Sequence, residues 1–96
     1  DYTRLTLESE RPLRHQLMLV KNPDRVVIDI DDADLASVQQ ALAGKLGFDD
    51  PHVSAVRVGN FKPGTVRIVL DLKGEVRPQI FALMPVGEYA HRLVLD

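Results

Sequence analysis

The chain contains no cysteine and no tryptophan, and its other aromatics are only two tyrosines and three phenylalanines. Without cysteine there can be no disulfide framework, thiol nucleophile or thiolate metal site. It does not fix the compartment, because envelope proteins and many cytosolic domains of this size both manage without it. Sparse aromatics, at 5% of residues, leave few rings for stacking, and some of those are needed in the core. No apolar run approaches the roughly 20 residues of a membrane-spanning helix. No signal peptide is visible, but the first residue is Asp1 rather than Met, which leaves room for an upstream segment that has been removed. Charge of one sign is also missing. The net charge is −2, so neither a basic nucleic-acid footprint nor a polybasic membrane patch is present. Serine is scarce, and Ser9, Ser37 and Ser54 lack the surroundings of a nucleophile elbow.

What remains is an ordinary globular composition in one domain of 96 residues, with 45% hydrophobic and 27% charged residues, enough for a modest core. A five-residue phrase recurs within it. Arginine, three mostly apolar residues and an acid appear at 25–29, 67–71 and 92–96, with a looser copy at 4–8. Average composition gives on the order of 0.1 such matches by chance, so the phrase marks an internal repeat or one strand type used repeatedly. On a strand, alternate side chains share a face. Arg25, Val27 and Asp29 then oppose Val26, Ile28 and Ile30, and the same division holds for 67–72 and 92–96. One face of each strand belongs in a core. The other carries a cation, a valine and an anion.

Strands are predicted over 2–8, 14–20, 25–30, 53–59, 66–72, 77–83 and 89–95, with Leu13, Leu17 and Leu19 as core candidates. Turns are expected at 21–24, 49–51, 73–75 and 85–88, and a loop at 59–64. One amphipathic helix is predicted over 35–45. Leu35, Val38, Leu42 and Leu46 recur at helical spacing, Asp34 is the N-cap, and Gly47 is the stop. The order strand, link, strand, turn, strand occurs in residues 4–30 and again in 67–96. The expected architecture is an all-β sandwich of two small symmetric sheets with one short connecting α-helix, each half supplying one sheet.

Candidate chemistry is sparse. His15, His52 and His91 have no metal-ligand spacing. Asp31, Asp32 and Asp34 lack a calcium loop's fixed length, central glycine and final glutamate, so capping and solvation explain them better. The two glycines of 59–64 are not followed by a phosphate-loop lysine at a helix start. No catalytic or metal site is assigned. The Arg/Asp rows admit two readings. One is cross-strand ion pairing on exposed faces, worth about 0.2–1 kcal/mol per pair. The other is a polar groove of forks and acceptors suited to a hydroxyl-rich, zwitterionic polymer. The residue chemistry alone favours ion pairing.

The phrases Asn22-Pro23-Asp24-Arg25-Val26-Val27-Ile28-Asp29, Val56-Arg57-Val58-Gly59-Asn60-Phe61 and Val66-Arg67-Ile68-Val69-Leu70-Asp71-Leu72 are moderately specific in combination. With Tyr2-Thr3-Arg4 and Arg92-Leu93-Val94-Leu95-Asp96 they span essentially the whole chain, which resembles the AMIN domain of bacterial N-acetylmuramoyl-L-alanine amidases and type IV pilus secretins. The closing stretch 85–96 looks more like the amidase version. The resemblance implies a periplasmic, non-catalytic β-sandwich that binds peptidoglycan and helps place a cell-wall amidase at the division septum. It makes residues 1–96 a single domain from a larger protein. The zinc-dependent hydrolase domain, and its zinc, would lie elsewhere, leaving no cofactor here. It also shifts the balance toward binding through Arg25, Asp29, Arg57, Asn60, Arg67, Asp71, Arg92 and Asp96. The expected partner is peptidoglycan, with division-site envelope proteins as further candidates, and neither nucleic acid nor membrane insertion is implied. The alternative is a module that docks on division or pilus secretin machinery. An independent enzyme is poorly supported.

Overall fold

The computed structural model describes residues 4–9, 13–42, 50–75, 78–84 and 91–95. Seven strands and one helix follow in the order β1 (Leu5–Ser9), β2 (Arg14–Val20), β3 (Arg25–Asp31), α1 (Leu35–Leu42), β4 (Val53–Lys62), β5 (Thr65–Leu72), β6 (Ile80–Leu83) and β7 (His91–Leu95). They form two antiparallel sheets, one of order β1-β7-β6 and one of order β2-β3-β5-β4. The all-β sandwich is therefore as expected.

The assignment of one sheet to each half is corrected. Strand β1 leaves the first half to pair with β7, and β5 leaves the second half to pair with β3. The exchange is reciprocal: the order β1-β7-β6 matches β5-β3-β2, with β4 added at one edge. The repeated phrase accounts for the register of these antiparallel pairs. Arginine and acid sit four residues apart, on one face of a strand. Two antiparallel copies therefore bring each arginine opposite the other's acid. In β3 and β5, Arg25 lies opposite Asp71 and Asp29 opposite Arg67. In β1 and β7, Glu8 lies opposite Arg92. Opposite charges facing each other favour this pairing over a like-charged register.

The inner faces close one core. Leu5 and Leu7 of β1 and Leu93 and Leu95 of β7 join Val26, Ile28 and Ile30 of β3 and Val66, Ile68 and Leu70 of β5. Ile28, Ile30, Ile68, Val26 and Val66 are fully enclosed, each contributing about 1.5–3 kcal/mol of transfer free energy. Helix α1 packs on β1 and β4 and buries Val38. Asp34 caps it, its Oδ2 accepting from the Ser37 backbone N–H at 3.0 Å. The Gly47 stop and the turn at 85–88 lie outside the described residues. Residue 49 of the expected turn at 49–51 also lies outside them; beyond it, Asp50 Oδ1 accepts from the backbone N–H groups of His52 and Val53, both at 2.9 Å.

Two further expectations change. Leu13 and Leu17 pack against the core, but Leu19 is 55% exposed. It lies near the end of β2, an edge strand of the wider sheet, where its side chain stays open to solvent. The expected loop at 59–64 is instead the end of β4 and a tight turn. Pro63 and Gly64 alone connect Lys62 to Thr65, with Gly64 at φ +82°. Proline followed by a positive-φ glycine meets the type II turn requirement, so the chain reverses without a loop.

Candidate functional site

The outer face of the four-stranded sheet gathers most of the sequence-predicted site. Across β3 and β5 its rows run Asp31/Thr65, Asp29/Arg67, Val27/Val69 and Arg25/Asp71. Strand β2 adds Arg14 and Gln16 beside Asp31 and Asp29. Strand β4 adds Gly59, Arg57 and Ala55 beside Arg67, Val69 and Asp71.

Two side-on guanidinium forks organise this face. Arg67 donates from Nε to Asp29 Oδ1 at 2.8 Å and from Nη2 to Asp29 Oδ2 at 2.9 Å. Arg57 donates from Nη2 to Asp71 Oδ1 at 2.8 Å and from Nε to Asp71 Oδ2 at 3.2 Å. The second fork is diagonal, because the register partner of Asp71 on β4 is Ala55 and that of Arg57 is Val69. A diagonal neighbour about 7–8 Å away is within reach of a long side chain. With Asp71 engaged by Arg57, Arg25 turns back and donates to the Pro23 carbonyl at 3.3 Å. At the far end Thr65 donates to Asp31 Oδ1 at 2.9 Å. Arg14 stands 3.8 Å from Asp31 there, in an exposed pair.

The forks differ in environment. Asp29 is only 8% exposed, whereas the Arg57 side chain is 60% exposed. The hydrogen bonds from Arg67 hold the Asp29 carboxyl below the usual carboxylate range, against the opposing effect of burial, with Lys62 adding a weaker attraction. Asp29 raises Arg67 reciprocally. Asp29 is thus an anion kept ionised inside the sheet face. In the side-on mode each guanidinium uses two of its roughly five N–H donors and keeps the rest for solvent or ligand.

Beside the forks lies a shallow groove of about 330 Å³, bordered by Arg57, Gly59, Asn60, Phe61, Arg67 and Val69. Asn60 has the parity of inward positions, opposite Val66, and is exposed at the strand's end. Phe61 is the extra residue of a β-bulge, since Asn60 pairs with Val66 and Lys62 with the adjacent Thr65. Bulges re-aim side chains. Here the Phe61 ring lies under the Arg67 guanidinium, 3.6 Å from carbon to ring centroid, and remains 52% exposed. A Cβ at Gly59 would meet no atom within 4 Å. The glycine therefore leaves open space between Arg57 and Phe61.

The structure thus brings together Arg25, Asp29, Arg57, Arg67 and Asp71, with Asn60 at the border. Arg92 lies on β7, in the other sheet. Asp96 falls outside the described residues. Gly59 and Phe61 were missed as site residues. Their signal was the period-two run Arg57, Gly59, Phe61, which continues the outer face of the strand. Among the described residues no three histidine, aspartate or glutamate side chains converge as a metal-binding group. No described helix is long and apolar enough to cross a membrane.

Fold and face together define a small two-sheet β-sandwich domain with an ordered polar sheet face. The chain belongs to the AMIN domain family, whose model matches residues 1–96. It is 48% identical over 96 residues to the N-acetylmuramoyl-L-alanine amidase AmiC of Escherichia coli O6:H1 (strain CFT073), covering 100% of this chain and 23% of that protein. It is 46% identical over 95 residues to the N-acetylmuramoyl-L-alanine amidase AmiC of Neisseria meningitidis serogroup B (strain MC58), covering 99% of this chain and 23% of that protein. The chain therefore spans about a quarter of the length of these curated relatives.

Proposed function

We propose that this domain is a non-catalytic peptidoglycan-binding module that places a periplasmic cell-wall amidase at the division septum. Its binding face would be the outer face of β2-β3-β5-β4. The parent's hydrolysis, and the zinc that supports it, would belong to a separate domain. Support comes from membership of the AMIN family and from relatives named as amidases of N-acetylmuramoyl-L-alanine. The observation that carries the choice of face is the pair of side-on forks, Arg67–Asp29 and Arg57–Asp71. They hold several N–H donors in fixed positions on one surface. A polymer with repeated hydroxyl and amide acceptors can engage such a surface weakly at each site and strongly in sum.

Docking on division or secretin proteins is the alternative, and it would use a strand edge. Strand β4 is an edge, but its register breaks at both ends, between Val53 and Ala55 and between Asn60 and Lys62. Bulges of this kind blunt an edge against strand addition. The other edge of this sheet, β2, pairs with β3 without a break, so the preference for the sheet face rests on the two forks and not on blunted edges.

Co-sedimentation with purified sacculi tests the reading. Saturable pelleting is expected, weakened by Arg57→Ala and unaffected by Arg92→Ala. Absence of pelleting, together with binding to a purified envelope protein, would transfer the function to the docking alternative.

A further inference from the structure

The groove over Gly59 has a shape and charge that select among the chemical groups of a cell wall. Its volume of about 330 Å³ is at the lower end of the ~300–1,000 Å³ typical of small-molecule sites, and it suits a single ring. One wall is the exposed Phe61 ring, held in place by the Arg67 guanidinium stacked on it. Arg67 is itself fixed by its fork with Asp29, so its stacked guanidinium favours this ring position before any ligand arrives. A pre-ordered wall reduces the entropy cost of binding. Arg57, Gly59 and Val69 also line it, Arg57 and Phe61 lying on either side of Gly59 along β4.

Charge then discriminates. Both arginines already face a carboxylate, Arg57 that of Asp71 and Arg67 that of Asp29. A ligand carboxylate entering here would find each guanidinium's charge already matched and would meet two nearby anions. A neutral acceptor, such as a hydroxyl or an acetamide carbonyl, could take the remaining N–H donors without that repulsion. The weakly positive C–H groups on the flat side of a sugar ring complement the negative face of an aromatic ring.

Resting on the peptidoglycan-binding reading, we propose that this groove is a single-sugar subsite for the glycan strand rather than for the stem peptide. Phe61 stacks on one pyranose ring. The N–H donors that the forks leave over on Arg57 and Arg67 serve that ring's hydroxyl or acetamide oxygens. Gly59 is the position whose missing side chain makes room for the ring.

Gly59 allows a test in which folding and binding separate. It is not among the positive-φ residues, and a Cβ there meets nothing within 4 Å, so Gly59→Thr should fold with an unchanged or raised melting temperature while filling the groove. The 96-residue chain, as wild type, Gly59→Thr, Phe61→Ala and Phe61→Tyr, is titrated with intact sacculi, with glycan strands stripped of stem peptides, and with stem peptides alone. The proposal expects wild type and Phe61→Tyr to bind stripped glycan. Gly59→Thr and Phe61→Ala should bind it about tenfold more weakly, the size of one aromatic contact. Wild type that binds sacculi and stem peptides but not stripped glycan would overturn the subsite and leave the wall-binding reading intact. So would a folded Gly59→Thr variant that binds glycan like wild type. Wild type that fails to bind sacculi would overturn both.

Discussion

Replacing Arg67 by alanine removes both donors from Asp29, a carboxylate only 8% exposed. Charge-assisted hydrogen bonds are worth about 1.5–3 kcal/mol, and a buried acceptor left without its donors accounts for most of that range. The Arg67 side chain is 31% exposed, so water can enter once it is gone, which favours the lower part. Loss of the contact with Phe61 adds about 0.5–1 kcal/mol. The expected destabilisation is thus about 2–3 kcal/mol, a large share of the roughly 5–15 kcal/mol that holds a domain folded. At about 4–8 °C per kcal/mol for a domain of this size, the melting temperature should fall by at least 8 °C. Arg57→Ala breaks a fork of similar geometry whose arginine is 60% exposed, and it should cost only about 0.2–1 kcal/mol. Urea denaturation followed by far-ultraviolet circular dichroism, run as two double-mutant cycles, separates the cases. The Arg67/Asp29 coupling should exceed the Arg57/Asp71 coupling by at least about 1 kcal/mol. Equal couplings would refute the claim that burial of Asp29 sets the difference.

The same pair gives a pH dependence. The folded-state pKa of Asp29 lies below its unfolded value of about 3.9, so its contribution is complete above that value and is lost as pH falls through the folded one. The stability advantage of wild type over Asp29→Asn should therefore shrink below about pH 4 in urea titrations; an advantage that is undiminished at pH 2 contradicts this. Asp34→Ala should cost about 0.5–2 kcal/mol through loss of the cap on α1, read as a lower denaturation midpoint. Ile68→Ala, at a position with no exposed surface, should cost about 2–5 kcal/mol, and a cost below 1 kcal/mol would mean that the two sheets do not share one core.

The sequence alone disclosed the elements better than their partners. Strands β3 and β5 were legible because Val26, Ile28 and Ile30, and likewise Ile68 and Leu70, alternate strictly with charged or small residues. Helix α1 was legible from its spacing and its Asp34 cap. Which strand joins which sheet is a long-range property, and two similar halves suggest two separate sheets. The four-residue interval between arginine and acid is self-complementary between antiparallel copies, but all four copies share it, so it does not choose which copies pair. Leu19 misled because its parity is inward while its place near the end of an edge strand leaves it exposed. Around the candidate site, Gly59, Asn60, Pro63 and Gly64 read as a loop. Turn formers concentrated at the end of a strand resemble a loop until the two-residue turn is seen. That hid the bulge at Phe61 and the groove beside it.

The central claim is that wall polymer is bound by the outer face of β2-β3-β5-β4. Backbone amide shifts of the isotope-labelled domain, followed during titration with soluble peptidoglycan fragments, test it most directly. Saturable shifts concentrated on Arg57, Gly59, Phe61, Arg67, Val69 and their neighbours are the predicted result. Shifts concentrated on β1, β6 and β7 around Arg92, with β4 and β5 unmoved, would contradict it.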